Sequence, residues 1–162
     1  MNPDPEFPLV SFSEGFPIDK AGMEVASNET LGLACRRDYA NGCLGLKQER
    51  FYSKNGFRYR VAAIAPEPKF NKMQKLLARL WRPYHLVRVA VQLENDGPWE
   101  IGPIKERIRG MLAHDPGDLL YQWTDEEEWN RGLESASTPR QLIDFLTNVA
   151  LVEHDDNQEN DS

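Results

Sequence analysis

The apolar positions of this chain follow a two-residue period early on and a helical period later. Residues 9–13 and 23–26 read as short strands separated by Gly15, Pro17 and Gly22. Two Asn-Gly pairs, Asn41-Gly42 and Asn55-Gly56, then predict hairpin turns, because both residues tolerate the positive φ of a type I′ turn. If each loop has two residues, a three-stranded meander results. One face collects Leu31, Leu33, Cys35, Tyr39, Leu44, Leu46, Tyr52, Phe57, Tyr59, Val61, Ala63 and Ala65. The opposite face holds Arg36, Lys47, Glu49, Phe51, Arg58, Arg60 and Ile64 and is basic.

Beyond Pro66 and Pro68, residues 69–81 predict a helix with Phe70, Met73, Leu76, Leu77, Leu80 and Trp81 on one stripe and a basic opposite side. Residues 85–94 alternate as a strand, with Val87, Val89, Val91 and Leu93 inward. Pro103 opens a helix that buries Ile104, Ile108, Met111 and Leu112 and ends at the Asp115-Pro116-Gly117 turn. Residues 119–123 are a further short strand candidate. Thr124 with Glu127, and Thr138 with Gln141, have capping-box spacing and start two more helices, which bury Trp129 and Leu133, and Leu142, Ile143, Phe145, Leu146 and Val149. Strands first and helices mainly later predict an α+β fold. It is a single domain with an antiparallel sheet, a meander of about three strands plus others, packed with about four helices.

Length and composition narrow the class further. The chain has 162 residues, 40% hydrophobic and 28% charged, which suits one domain. It spans residues 7–152, with residues 1–6 and the acidic end 153–162 expected to be disordered. No apolar run approaches the ~18 residues of a membrane span. The opening MNPDPEFPLV lacks the basic start and apolar stretch of a signal peptide, so a cytoplasmic location is expected.

The net charge of -7 conceals a polarised chain. Residues 47–82 carry ten Lys or Arg against Glu49 and Glu67, a balance of +8, whereas residues 124–162 sum to -9. Such opposed regions steer charged partners or neutralise each other within the fold. The last ten residues, EHDDNQENDS, have no apolar side chain to offset the entropy of ordering them.

Candidate chemistry is sparse. His85, His114 and His154 lie far apart with no ligand spacing, so no metal, cofactor or catalytic residue is expected. In the meander register Cys35 and Cys43 point to different faces and remain free thiols, as in a reducing compartment. Arg36, Lys47, Arg58 and Arg60 with Phe51 between them could hold phosphates and stack a base, which makes the basic face a candidate nucleic-acid surface. The acidic total and the absence of a known nucleic-acid motif disfavour that reading. Asp125, Glu126, Glu127 and Glu128 exceed what a helix dipole asks of its first turn. With Trp129 either anchoring the rim or packing the core, they form a candidate patch for a cationic partner.

The hairpin stretch 31–65, the run Leu119-Leu120-Tyr121-Gln122-Trp123-Thr124-Asp125-Glu126-Glu127-Glu128-Trp129 and the helix 138–146 resemble the bacterial immunity proteins that protect cells from contact-dependent or type VI secreted toxins. The resemblance covers about half of the chain and carries no position-specific motif. It implies a non-enzymatic inhibitor that masks a cognate protein toxin, for which the acidic patch would suit a basic nuclease. The helix 69–82 could also meet a membrane surface or another acidic partner, but an ordinary exposed helix with snorkelling lysines is the commoner explanation, so no membrane partner is expected. The alternatives are a nucleic-acid-binding or adaptor protein using the basic face and the helix 69–82, and an enzyme of unidentified class.

Overall fold

The computed structural model of the chain describes residues 3–12, 22–66, 69–114 and 126–155, with side chains of the last helix described as far as residue 148. Its centre is a five-stranded antiparallel sheet in the order β2 (Glu24–Ala26), β1 (Leu9–Ser11), β4 (Arg50–Tyr52), β5 (Phe57–Ala65), β7 (Ala90–Pro98). A second, two-stranded sheet pairs β3 (Leu33–Cys35) with β6 (Leu86–Arg88). Among the described residues six helices accompany them: α1 (Arg36–Ala40), α2 (Leu44–Gln48), α3 (Lys72–Leu80), α4 (Ile101–His114), α5 (Glu126–Ser135) and α6 (Pro139–Asp155). The α+β class with an antiparallel sheet is therefore observed, with more helices than the periodicity indicates.

The difference lies at the first Asn-Gly pair, which ends a helix and makes no hairpin. Asn41 caps α1 and Gly42 follows at φ +84°. The Cys43 amide donates to the Asp38 carbonyl at 2.8 Å and the Gly42 amide to the Tyr39 carbonyl at 3.0 Å, the crossed pair of bonds of a Schellman motif. The same positive-φ preference serves a hairpin or a helix end, and here two short helices replace two predicted strands. β3 then finds its partner far along the chain, in β6, with Ala34 opposite Val87.

The second Asn-Gly pair does form a hairpin, but with one residue more than a type I′ loop. Lys54, Asn55 and Gly56 lie between Ser53 and Phe57, whose backbone groups close the loop at 3.1 Å, and Gly56 sits at φ +83°. The extra residue sets Phe51 opposite Tyr59 and Tyr52 opposite Arg58. A one-residue slip exchanges the faces of a strand, so Phe51 leaves the predicted basic face and Tyr52 takes its place. A second irregularity, between Val61 and Ala63, turns Ile64 to the same side as Tyr59 and Val61.

Both sides of the sheet are consequently lined by core. On one, Val10, Phe12, Tyr52 and Trp99 pack with Ile104, Ile108 and Leu112 of α4, Trp129 and Leu133 of α5, and Leu142, Ile143 and Leu146 of α6. On the other, Leu9, Phe51, Tyr59, Val61 and Ile64 pack with Leu31, Cys43 and Val89. Strict alternation carries this division: Leu9 and Val10 go to opposite cores, as do Phe51 and Tyr52. The strand predicted over 85–94 is divided at Val89, whose amide donates to the Gly32 carbonyl at 2.8 Å, so that β6 joins one sheet and β7 the other.

Residues 3–6 run along the β4–β5 turn. The Tyr59 hydroxyl donates to the Pro3 carbonyl at 2.9 Å, the Asn55 amide to the Asp4 carbonyl at 2.8 Å, and the Ser53 hydroxyl to the Glu6 carbonyl at 2.9 Å. At α6 the Gln141 amide donates to Thr138 Oγ1 at 3.2 Å, while the Gln141 side chain reaches Ser137 in place of Thr138. The Asp115-Pro116-Gly117 turn, the strand 119–123, the Thr124 cap and the acidic end beyond residue 155 lie outside the described residues.

The register has a direct thermodynamic consequence. Phe51→Ala is expected to lower unfolding stability in urea by about 3–5 kcal/mol, as for a fully packed phenylalanine. A loss below about 0.5 kcal/mol would restore the two-residue loop, in which Phe51 faces solvent.

Candidate interaction surface

The predicted basic face is dispersed and mostly neutralised. Arg50 and Arg58 share Asp96 of β7 at 3.1 and 3.0 Å, and Arg60 meets Glu94 at 3.1 Å. These carboxylates come into register only through the β5–β7 pairing, where Arg60 lies opposite Glu94. Phe51 is buried on the opposite side of the sheet, Lys47 stands exposed on α2, and Arg36 belongs to α1. The five residues proposed for phosphate and base contacts therefore do not converge on one surface.

The acidic run keeps its three described carboxylates together but not its aromatic anchor. Glu126, Glu127 and Glu128 are exposed in the first turn of α5, where the helix dipole favours them, and Asp125 lies outside the described residues. Trp129 is fully buried, its ring edge-on to Phe145 at 5.4 Å, and so fills the core without reaching a rim.

The feature that stands out is the outer side of α3. Asn71 caps the helix reciprocally with Gln74: the Gln74 amide donates to Asn71 Oδ1 at 2.8 Å, and the Asn71 amide to Gln74 Oε1 at 3.0 Å. Position 78 faces inward, and its alanine lets α3 lie against α1. Arg79 adds a bond to Asn41 Oδ1 at 3.2 Å, and Phe70 packs edge-on to Tyr39 at 5.7 Å. The rest of the predicted stripe points away. Met73, Leu76, Leu77 and Leu80 occupy positions i, i+3, i+4 and i+7, and are exposed by 66, 51, 48 and 73%.

The apolar exposure continues past the helix. Among the described residues eight large hydrophobic side chains are exposed, and seven of them fall between residues 73 and 86: those four with Trp81, Tyr84 and Leu86. Arg36 lies over the Trp81 ring at 5.8 Å and Arg37 over the Tyr84 ring at 5.7 Å. The Arg36 amide donates to the His85 carbonyl at 2.8 Å and the Arg37 amide to the Pro83 carbonyl at 3.0 Å, so the segment after α3 is fastened to α1. Residues 69–88 also carry six Lys or Arg and no carboxylate, with Lys72, Lys75 and Arg79 succeeding one another along one flank of α3. The periodicity exposed this stripe in the sequence but could not say which way it faces.

Beside that flank a groove of about 920 Å³ is lined by Leu31, Phe51, Cys43, Asp38, Lys75 and Arg79. Burial, and then donation of the Cys35 thiol to the Asp38 carboxylate at 3.0 Å, raise the Cys35 pKa, and burial raises that of Cys43. Both cysteines are free, separated by α1 and its Schellman turn and not by the predicted hairpin. His85 and His114 are exposed at separate places, and no cluster of His, Cys, Asp or Glu fit to hold a metal occurs among the described residues. Nor is any described helix long and apolar enough to cross a membrane.

Comparisons with protein-family models, curated proteins and solved structures find no match to this chain.

The thiol environment fixes an expected pH response. Raised pKa values leave less thiolate near neutrality, so both cysteines should alkylate with iodoacetamide more slowly at pH 7 than a cysteine peptide, and faster as the pH rises. Asp38→Asn removes a negative charge and weakens the acceptor and should quicken Cys35 more than Cys43, read by mass spectrometry of the labelled peptides. A thiol that outpaces the peptide at pH 7 would contradict this arrangement.

Proposed function

We propose that this chain is a binding protein without chemistry of its own, and that the face formed by α3, residues 81–84 and β6 is its working surface. One observation carries the reading: the concentration of seven large exposed hydrophobic side chains within residues 73–86. Soluble monomers rarely leave contiguous apolar patches uncovered, and large ones mark interaction sites.

The inhibitor role implied by the likeness to immunity proteins is a narrower form of this reading. It is cytoplasmic, and its test is growth rescue on co-expression with the protein encoded immediately upstream. The nucleic-acid alternative has less support, since Arg58 and Arg60 already hold carboxylate partners.

The surface itself is tested by a photo-crosslinking amino acid placed at Tyr84, with Glu134 on the exposed side of α5 as control. Irradiation in cells should give adducts from position 84 that are absent from position 134. Leu76→Glu with Leu80→Glu should reduce them at least about tenfold, because two buried leucines contribute more than 1.4 kcal/mol. No adduct at position 84, or adducts indifferent to the leucine pair, would overturn the reading.

A further inference from the structure

We infer that the α3 face docks on an anionic lipid bilayer; the inference rests on the reading of that face as the working surface and names what it binds. Three features of the face support a lipid plane.

Shape is the first. α3 is held from behind, through Ala78 and the Arg79–Asn41 bond, so only its outer arc is accessible, and that arc is convex. A plane needs only the outward side chains, as does a shallow apolar groove on a partner protein, so shape admits the plane and charge must decide for it. Met73, Leu76, Leu77 and Leu80 project together from that arc, and this is the part of an interfacial helix that enters the acyl boundary.

Charge is the second. Residues 69–88 carry six cations and no carboxylate, although the whole chain carries -7; the carboxylates of Glu24, Asp38 and Glu49 share the groove beside Lys75 and Arg79. Lysine is depleted in protein interfaces, which mix signs for register, while an excess of Lys and Arg along an apolar stripe complements an anionic leaflet. Lys72 and Lys75 have apolar stems long enough to lie along the stripe while their ammonium groups reach headgroups.

The third is the aromatic pair. Trp81 and Tyr84 are exposed at the end of the stripe with a guanidinium over each ring, so each presents an apolar body beside a fixed cation. Amphipathic rings of this kind concentrate at the boundary between headgroups and hydrocarbon. Docking of this kind is the alternative that the expectation of no membrane partner set aside, in which helix 69–82 meets a membrane surface in place of being an ordinary exposed helix. A peripheral face needs no spanning segment.

The test uses the full chain and extruded vesicles of phosphatidylcholine, alone or with roughly one third phosphatidylserine. In co-sedimentation at about 0.05 M salt the chain is expected to pellet with the phosphatidylserine vesicles. Binding should be at least about tenfold weaker to phosphatidylcholine alone, and weaker again at about 0.5 M salt, where charges a few ångströms apart are screened. Leu76→Glu with Leu80→Glu, and separately Lys72→Glu with Lys75→Glu, should abolish pelleting, whereas Glu126→Gln with Glu127→Gln should leave it unchanged. Wild-type chain that stays in the supernatant with anionic vesicles at low salt overturns the inference, as does pelleting indifferent to both pairs of substitutions. Should vesicles fail while position 84 still crosslinks a protein in cells, the lipid assignment falls and the working surface stands.

Discussion

A sheet that must be covered on both sides determines where every other element of this molecule can go. Leu9 and Val10 point to opposite cores, and Phe51 and Tyr52 do the same one strand away. The long helices α4, α5 and α6 cover one side. The other is covered by a patchwork of short pieces, with Cys43, Tyr39 and Leu46 supplied by the α1–α2 turn and Val87 and Val89 by the β6 crossing. With that side already covered, α3 packs against α1, with Ala78 as its one buried side chain and the Arg79–Asn41 bond beside it. Its leucines are left facing solvent because no core remains for them.

That exposure is costly in the free molecule. A leucine or methionine kept in water forgoes about 1.5–3 kcal/mol relative to a buried one. The segment could have met its local needs with polar residues, since its capping box, the Arg79–Asn41 bond and the Arg36 and Arg37 backbone contacts do not involve the stripe. The arrangement thus makes a stable platform for α3 that leaves its apolar side unused by the fold. The contrast with the arginines of the sheet is instructive. Arg58 and Arg60 also appear in the sequence as a surface in waiting, yet Asp96 and Glu94 bring their opposite charges within 3.0–3.1 Å.

Much of the fold was legible in the sequence where one local pattern has one meaning. The strands at the N-terminus, the β4–β5 hairpin, the buried side of α4 and the Thr138 cap all follow from periodicity or capping chemistry. Ambiguous signals gave the differences. Asn-Gly announces positive φ, and Gly42 and Gly56 take nearly the same φ in a helix end and a hairpin loop. The single extra residue of the Lys54–Gly56 loop moved Phe51 across the sheet and dissolved the predicted basic face with it. For the candidate site, periodicity showed that α3 has an apolar stripe, but its direction depends on which elements already cover the sheet. That is decided by pairings as distant as Cys35 with Leu86.

The central claim, that the α3 stripe belongs to the surface and not to the core, has one direct measurement. Urea unfolding of Leu76→Asp with Leu80→Asp should give a stability within about 0.5 kcal/mol of the parent chain per substitution, as for charged replacements at exposed positions. A loss of about 2–5 kcal/mol or more, the cost of disrupting buried leucines, would place the stripe inside the fold and contradict the account.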